Sequence, residues 1–152
     1  MKKYSVQKGF TLVEIISGVA IISLLAAIVT PNLLRARENV NEMAAQATLR
    51  TIHYAMKSYR DVNSQYPSDL TQLTSTAGAA GPAYLDESMT SGARSGYLFQ
   101  IESADADTFR VKATPQDVGL TGEYIFRITE IGVIESESAL TAPPASTREP
   151  SL

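Results

Sequence analysis

The 152-residue chain contains no cysteine, no tryptophan and a single histidine. Without cysteine there is no disulfide framework, no thiolate chemistry and no cysteine zinc site. His53 alone leaves too few nitrogen ligands for a typical catalytic zinc centre. Charge is missing locally as well, because the twenty residues from Ile15 to Leu34 carry none. Residues 1–9, MKKYSVQKG, hold three lysines and no acid, whereas the remainder has ten basic residues against sixteen acidic. A body with that balance is not built to clamp polyphosphate, so nucleic acid is not expected as a partner. No nucleophile with its base and no paired acid and base stand out. The sequence therefore predicts no catalytic residue, no cofactor and no metal site, and a protein that is not an enzyme.

Apolar residues are plentiful but concentrated. From Phe10 to Leu34, 17 of 25 residues are apolar and only Glu14 is charged. A basic start before a long apolar run is the pattern of a segment delivered to a bilayer with its lysines in the cytoplasm. Twenty uncharged residues make about 30 Å of helix, enough to cross the hydrocarbon layer. No A-x-A-like exit site follows the run, so the segment is expected to stay as an anchor. Two residues are out of place in a simple anchor: Gly9 at the polar to apolar junction and Glu14 inside the run. A carboxylate in hydrocarbon costs roughly 2.5–3.5 kcal/mol on insertion scales and calls for a partner.

The octapeptide Lys8-Gly9-Phe10-Thr11-Leu12-Val13-Glu14-Ile15 resembles the processing and methylation motif of type IV pilins and of the pseudopilins of type II secretion. Pro31 falls where the N-terminal helix of that family typically has a proline. The resemblance implies that a prepilin peptidase cuts after Gly9, where a side chain would obstruct it, and that Phe10 becomes an N-methylated terminus. It gives Glu14 a partner in the new amine of a neighbouring subunit, with its own Phe10 amine as the local competitor. One buried charge pair would act as a registry device among non-directional apolar contacts. The implied function is that of a structural pilin that polymerises through its N-terminal helix. The implied partners are copies of itself, the peptidase and methyltransferase, an assembly platform with its ATPase, and the inner membrane before assembly. The precursor would be single-pass with a cytoplasmic N-terminus, and the product a surface pilus or a periplasmic pseudopilus. A type II secretion pseudopilin is one alternative, and a minor pilin or anchored module for DNA uptake or adhesion is another.

The remaining chain predicts an α+β, pilin-like fold: a long N-terminal helix, kinked or locally melted near Pro31, packed on a three- to four-stranded antiparallel sheet. Residues 1–9 form the leader, 10–34 the apolar helix and 35–63 its amphipathic continuation. An apolar stripe of Leu33, Ala36, Val40, Met43, Ala47, Leu49, Ile52, Met56 and Tyr59 follows helical spacing. Residues 64–96 read as a variable loop with a short turn capped by Ser68 and a docked Tyr84-Leu85. Period-two alternation predicts strands with Tyr97, Phe99 and Ile101 inward, then Phe109, Val111 and Ala113, then Tyr124, Phe126 and Ile128. A fourth strand over Gly132–Glu135 closes the sheet region 97–136, and residues 137–152 read as a disordered tail. His53 reads as a surface or boundary residue, and Glu102, Asp105 and Asp107 as a solvated hairpin turn in preference to a calcium site.

Overall fold

Helix α1 runs from Leu12 to Asn63, 52 residues without a break in the helical assignment. It therefore continues through Thr30-Pro31-Asn32, and the local melting expected there does not occur. The computed structural model describes residues 9–74 and 83–141; most of the leader, residues 75–82 of the connecting loop and residues 142–152 of the tail lie outside the described residues. The chain divides into two units, Met1–Ala36 and Arg37–Leu152.

In the first unit the described helical side chains are exposed and predominantly apolar. Four of its uncharged polar side chains turn back onto their own backbone. The hydroxyls of Ser17, Ser23 and Thr30 donate to the carbonyls of Glu14, Val19 and Ala26, and the Asn32 amide donates to Ile28 O. Such back-bonding leaves little polar surface for lipid to desolvate. Thr30 and Asn32 serve the carbonyls on either side of Ala27, whose usual donor is lost because Pro31 has no N–H.

The second unit holds the core. Its helical face is Ala45, Leu49, Ile52, Met56 and Tyr59, all buried. The earlier part of the expected stripe does not pack, since Val40 and Met43 are exposed, and the buried face begins only at Ala45. The helix ends because Ser64 adopts a left-handed φ of 59°, with its N–H on Arg60 O at 2.7 Å and the Asn63 amide on Tyr59 O. The short helix α2 is Thr71–Thr74. Its cap is Asp69, whose carboxylate accepts Thr71 N–H at 2.7 Å; Ser68, expected as the cap, instead donates its own N–H to Gln72 Oε1. The Thr71 amide holds the Asp69 carboxyl below its ordinary pKa.

Tyr84 and Leu85 dock as expected, both giving their N–H groups to Leu73 O. Two elements then appear that alternation could not reveal: a 3-10 turn Glu87–Met89 capped by Asp86, and a two-residue strand β1, Ala93–Arg94. Strand β1 joins β2 (Tyr97–Ala104), β3 (Phe109–Pro115), β4 (Tyr124–Thr129) and β5 (Ile134–Ser138) in an antiparallel meander of five strands in chain order. The α+β expectation holds with one strand more, too short to show a period.

Three strand details differ from the alternation. A register shift between Ile101 and Ser103 bulges β2 at Glu102, so Ala104 comes round to the core side. In β4, Tyr124 lies half exposed at the sheet end, while Ile125, on the outward face opposite Glu137 of β5, is buried. Strand β5 starts at Ile134, because Gly132, expected to open it, has a φ of 85° and belongs to the turn. Glu137 and Ser138 are therefore strand residues, and Ala139 N–H bonds to Glu123 O at 2.8 Å, so the expected disordered tail is structured as far as Thr141.

Candidate processing and assembly site

Gly9, Phe10 and Thr11 precede the first helical turn, which opens at Leu12. Thr11 is its cap. Thr11 Oγ1 accepts the Glu14 N–H at 3.2 Å, and Glu14 Oε2 in return accepts the Thr11 N–H at 3.3 Å and its hydroxyl at 3.4 Å. This reciprocal pair is a capping box, which satisfies two orphan donors of the helix start. Ile15 N–H then closes the first helical bond on Thr11 O at 3.3 Å. Thr11 is the functional residue missing from the sequence reading, although its signal is plain: threonine three places before glutamate at the head of an apolar run.

The capping box gives Glu14 a local partner within its own chain. A carboxylate near a helix N-terminus also meets the positive end of the helix dipole. Gly9 stands in the open: a methyl group added to it would meet no atom within 4 Å, and its φ lies outside the left-handed region. Nothing among the described residues therefore demands glycine there. Phe10 is 81% exposed and likewise has no packing role among them. Downstream, α1 passes the length and hydropathy test for a membrane-crossing helix.

The other candidate residues are dispersed. Glu102 sits between Lys112 Nζ at 3.3 Å and Arg127 Nε at 3.6 Å, Asp107 pairs with Arg60 at 2.5 Å, and Asp105 closes its own turn on Thr108. Cations on the helix and sheet thus take up the Glu102 and Asp107 carboxylates. Among the described residues no cluster of His, Asp and Glu gathers at metal-binding distance. His53 differs from its expected surface or boundary place. It is buried beneath the β4–β5 turn, its Nδ1 3.1 Å from Thr129 O and its ring 5.6 Å from that of Phe109. Burial first, and then the Lys57 charge, lower its pKa, with the Thr129 carbonyl and Glu130 opposing.

A capped, exposed apolar helix with an unconstrained glycine just ahead of it, and an antiparallel meander after it, is the arrangement expected of the prepilin class. Residues 4–30 match the family model of the prokaryotic N-terminal methylation motif. The chain is 34% identical over 108 residues to the type IV wide pilus major component PilA4 of Thermus thermophilus, covering 71% of this chain and 82% of that protein. It is 38% identical over 68 residues to the type II secretion system core protein G of Vibrio cholerae, covering 45% of this chain and 47% of that protein. It is also 34% identical over 77 residues to the type IV major pilin protein PilA of Myxococcus xanthus, with 51% and 34% covered. The chain belongs to the family of type IV pilins and type II secretion pseudopilins.

Proposed function

We propose that this chain is the structural subunit of a type IV pilus. One observation carries the choice: the match to a pilus component takes in 108 of the 152 residues, so it must include β1 and β2, and it covers 82% of that protein. The match to the secretion protein is only 68 residues long and covers less than half of it. In this reading a prepilin peptidase removes residues 1–9 from a single-pass inner-membrane precursor, cutting after Gly9. Phe10 is then methylated, and an assembly platform with its ATPase moves the apolar half of α1 from lipid into an equally apolar filament core. Glu14 exchanges its bonds to Thr11 for the amine of a neighbouring Phe10, fixing the register in which helices pack. A bend at Pro31 adjusts the course of the apolar segment.

Intact mass of the protein in a sheared surface fraction tests this. A species beginning at Phe10 and one methyl group heavier is the expected result; its absence from that fraction would overturn the surface-pilus reading. The pseudopilin reading is favoured by the repeated similarity to core protein G of several secretion systems. It predicts the same processed mass in a periplasmic fraction and none in the sheared one.

A further inference from the structure

Two clusters of exposed apolar side chains in the Arg37–Leu152 unit are unused by the fold. One lies at the β4–β5 turn, where Ile131 is 77% exposed and Val133 is exposed beside it. Between them Gly132 abuts the His53 ring, and Tyr54, the next helical residue, is exposed too. The second lies at the other end of β4, where the β3–β4 loop exposes Val118 and Leu120. The Ala139–Glu123 hydrogen bond brings Leu140, also exposed, to that same end. Turns are ordinarily polar, so apolar residues at both turn ends need a reason beyond the fold.

The two clusters are held along one line. Glu42 Oε1 accepts Glu123 N–H at 2.9 Å at one end of β4, and His53 Nδ1 meets Thr129 O at 3.1 Å at the other. The eleven helical steps from Glu42 to His53 span about 16 Å, and the six strand steps from Glu123 to Thr129 span about 20 Å. Strand and helix thus run side by side, with one cluster at each end of the pair. Their rims differ in charge. Arg50 and Lys57 stand one helical turn either side of Tyr54, with Glu130 in the adjoining turn, whereas Asp117 and Glu123 bracket the loop cluster.

We propose that the Tyr54, Ile131 and Val133 surface of one copy of this chain docks on the Val118, Leu120 and Leu140 surface of the next. Different patches meet, so the contact is heterologous, and repeated along α1 it propagates without closing, as a fibre requires. Opposite rims select this pairing over either patch meeting itself. The contact rests on the polymer reading above and names a body-to-body surface for it.

The absence of cysteine makes the test clean. Ile131→Cys and Leu120→Cys are introduced singly and together into the full chain, and sheared filaments are mildly oxidised. The double variant is expected to give a ladder of covalent multimers, and each single variant only monomer. Dimers from a single variant, or monomers alone from intact filaments of the double variant, would overturn the proposed contact while leaving the polymer reading in place. Failure of the unsubstituted chain to form filaments would defeat the polymer reading itself, and the contact with it. As detergent-solubilised monomers, the Leu120→Cys and Ile131→Cys variants should react with a maleimide equally fast. Protection of the thiol in Leu120→Cys would mean that residues 142–152 occupy the loop patch, and would also overturn the proposal. Independently, Lys57→Glu should lower filament yield roughly tenfold, with recovery when Asp117→Lys is added.

Discussion

At the scale of single residues, the informative positions are those whose chemistry the fold does not require. Gly9→Val meets empty space and should leave helix content and thermal stability unchanged. It should nevertheless retain the leader, which N-terminal sequencing checks; a mature terminus at Phe10 in that variant would defeat the assigned cut. Glu14 allows a finer separation. Glutamine can still complete a capping box but carries no charge, whereas alanine loses both roles. Both Glu14→Gln and Glu14→Ala should be processed, because the Thr11 hydroxyl still caps the amide at position 14, and both should lose most surface filaments if the charge is what fixes register. Normal filaments from Glu14→Gln would transfer the role from charge to cap. His53 makes a prediction about pH. Its pKa is lowered by burial, so the unfolded chain takes up a proton more readily than the folded one. The stability it contributes is present above its ordinary value of 6.5 and is lost as pH falls through the lower folded value. Thermal melts should therefore show Tm falling as pH drops below 6.5, and His53→Gln should flatten that fall. Asp69 and Asp86, both held below their ordinary 3.8 by nearby amides and hydroxyls, contribute to this slope only at lower pH.

At the scale of elements, the β3–β4 loop is fixed by a small number of polar bonds. Tyr97 is fully buried and its hydroxyl donates to Tyr124 O at 3.0 Å, while burial and the Glu42 charge raise its pKa. A methyl on Gly122 would land on that hydroxyl. Tyr97→Phe should cost about 1 kcal/mol by denaturant titration, the typical net worth of one hydrogen bond. Gly122→Ala should cost more, about 1–3 kcal/mol, because the clash forces a shift in a packed ring. A smaller loss from Gly122→Ala than from Tyr97→Phe would mean that the loop is not held against this ring. Some of these elements are legible in the sequence and others are hidden for physical reasons. Long periods are readable: α1, and the inward residues of β2 and β3, follow from spacing that many side chains share. Local bonds are not, because β1 has two residues, the Asp69 and Thr11 caps depend on single side chains, and the Glu102 bulge breaks the period that would announce it. The start of β5 escapes the alternation because isoleucine and valine on either side of Gly132 mimic a strand, while the left-handed φ of that glycine makes it a turn. In the candidate site, Gly9 and Glu14 are legible because each is odd for an anchor, and Phe10 through the motif they frame, whereas Thr11 is read only when its three-residue spacing to Glu14 is taken as a capping box.

At the scale of the whole molecule, the chain divides into a unit that carries the exposed apolar half of α1 and a unit that holds the core. Among the described residues every buried hydrophobic side chain lies at or after Ala45, within the Arg37–Leu152 unit, and none of the large apolar residues from Phe10 to Leu34 contributes to that core. The stability of the body should therefore be indifferent to the loss of those residues. A chain truncated to begin at Arg35 is expected to be soluble without detergent, monomeric in sedimentation, and to unfold in one cooperative transition, as single domains of this size usually do. Its Tm should lie within a few degrees of the body transition of the detergent-solubilised full chain, since a difference of 1 kcal/mol shifts a domain of this size by roughly 3–5 °C. Leu49→Ala in that truncated chain should lower stability by about 2–5 kcal/mol, because Leu49 is fully buried in the core cluster. Aggregation of the truncated chain, or a transition spread over tens of degrees, would mean that the apolar half of α1 is needed to complete the body. A cooperative, soluble monomer would instead assign the apolar half to lipid and neighbouring subunits alone, and would leave the exposed turn clusters at the two ends of β4 as the surfaces by which bodies meet.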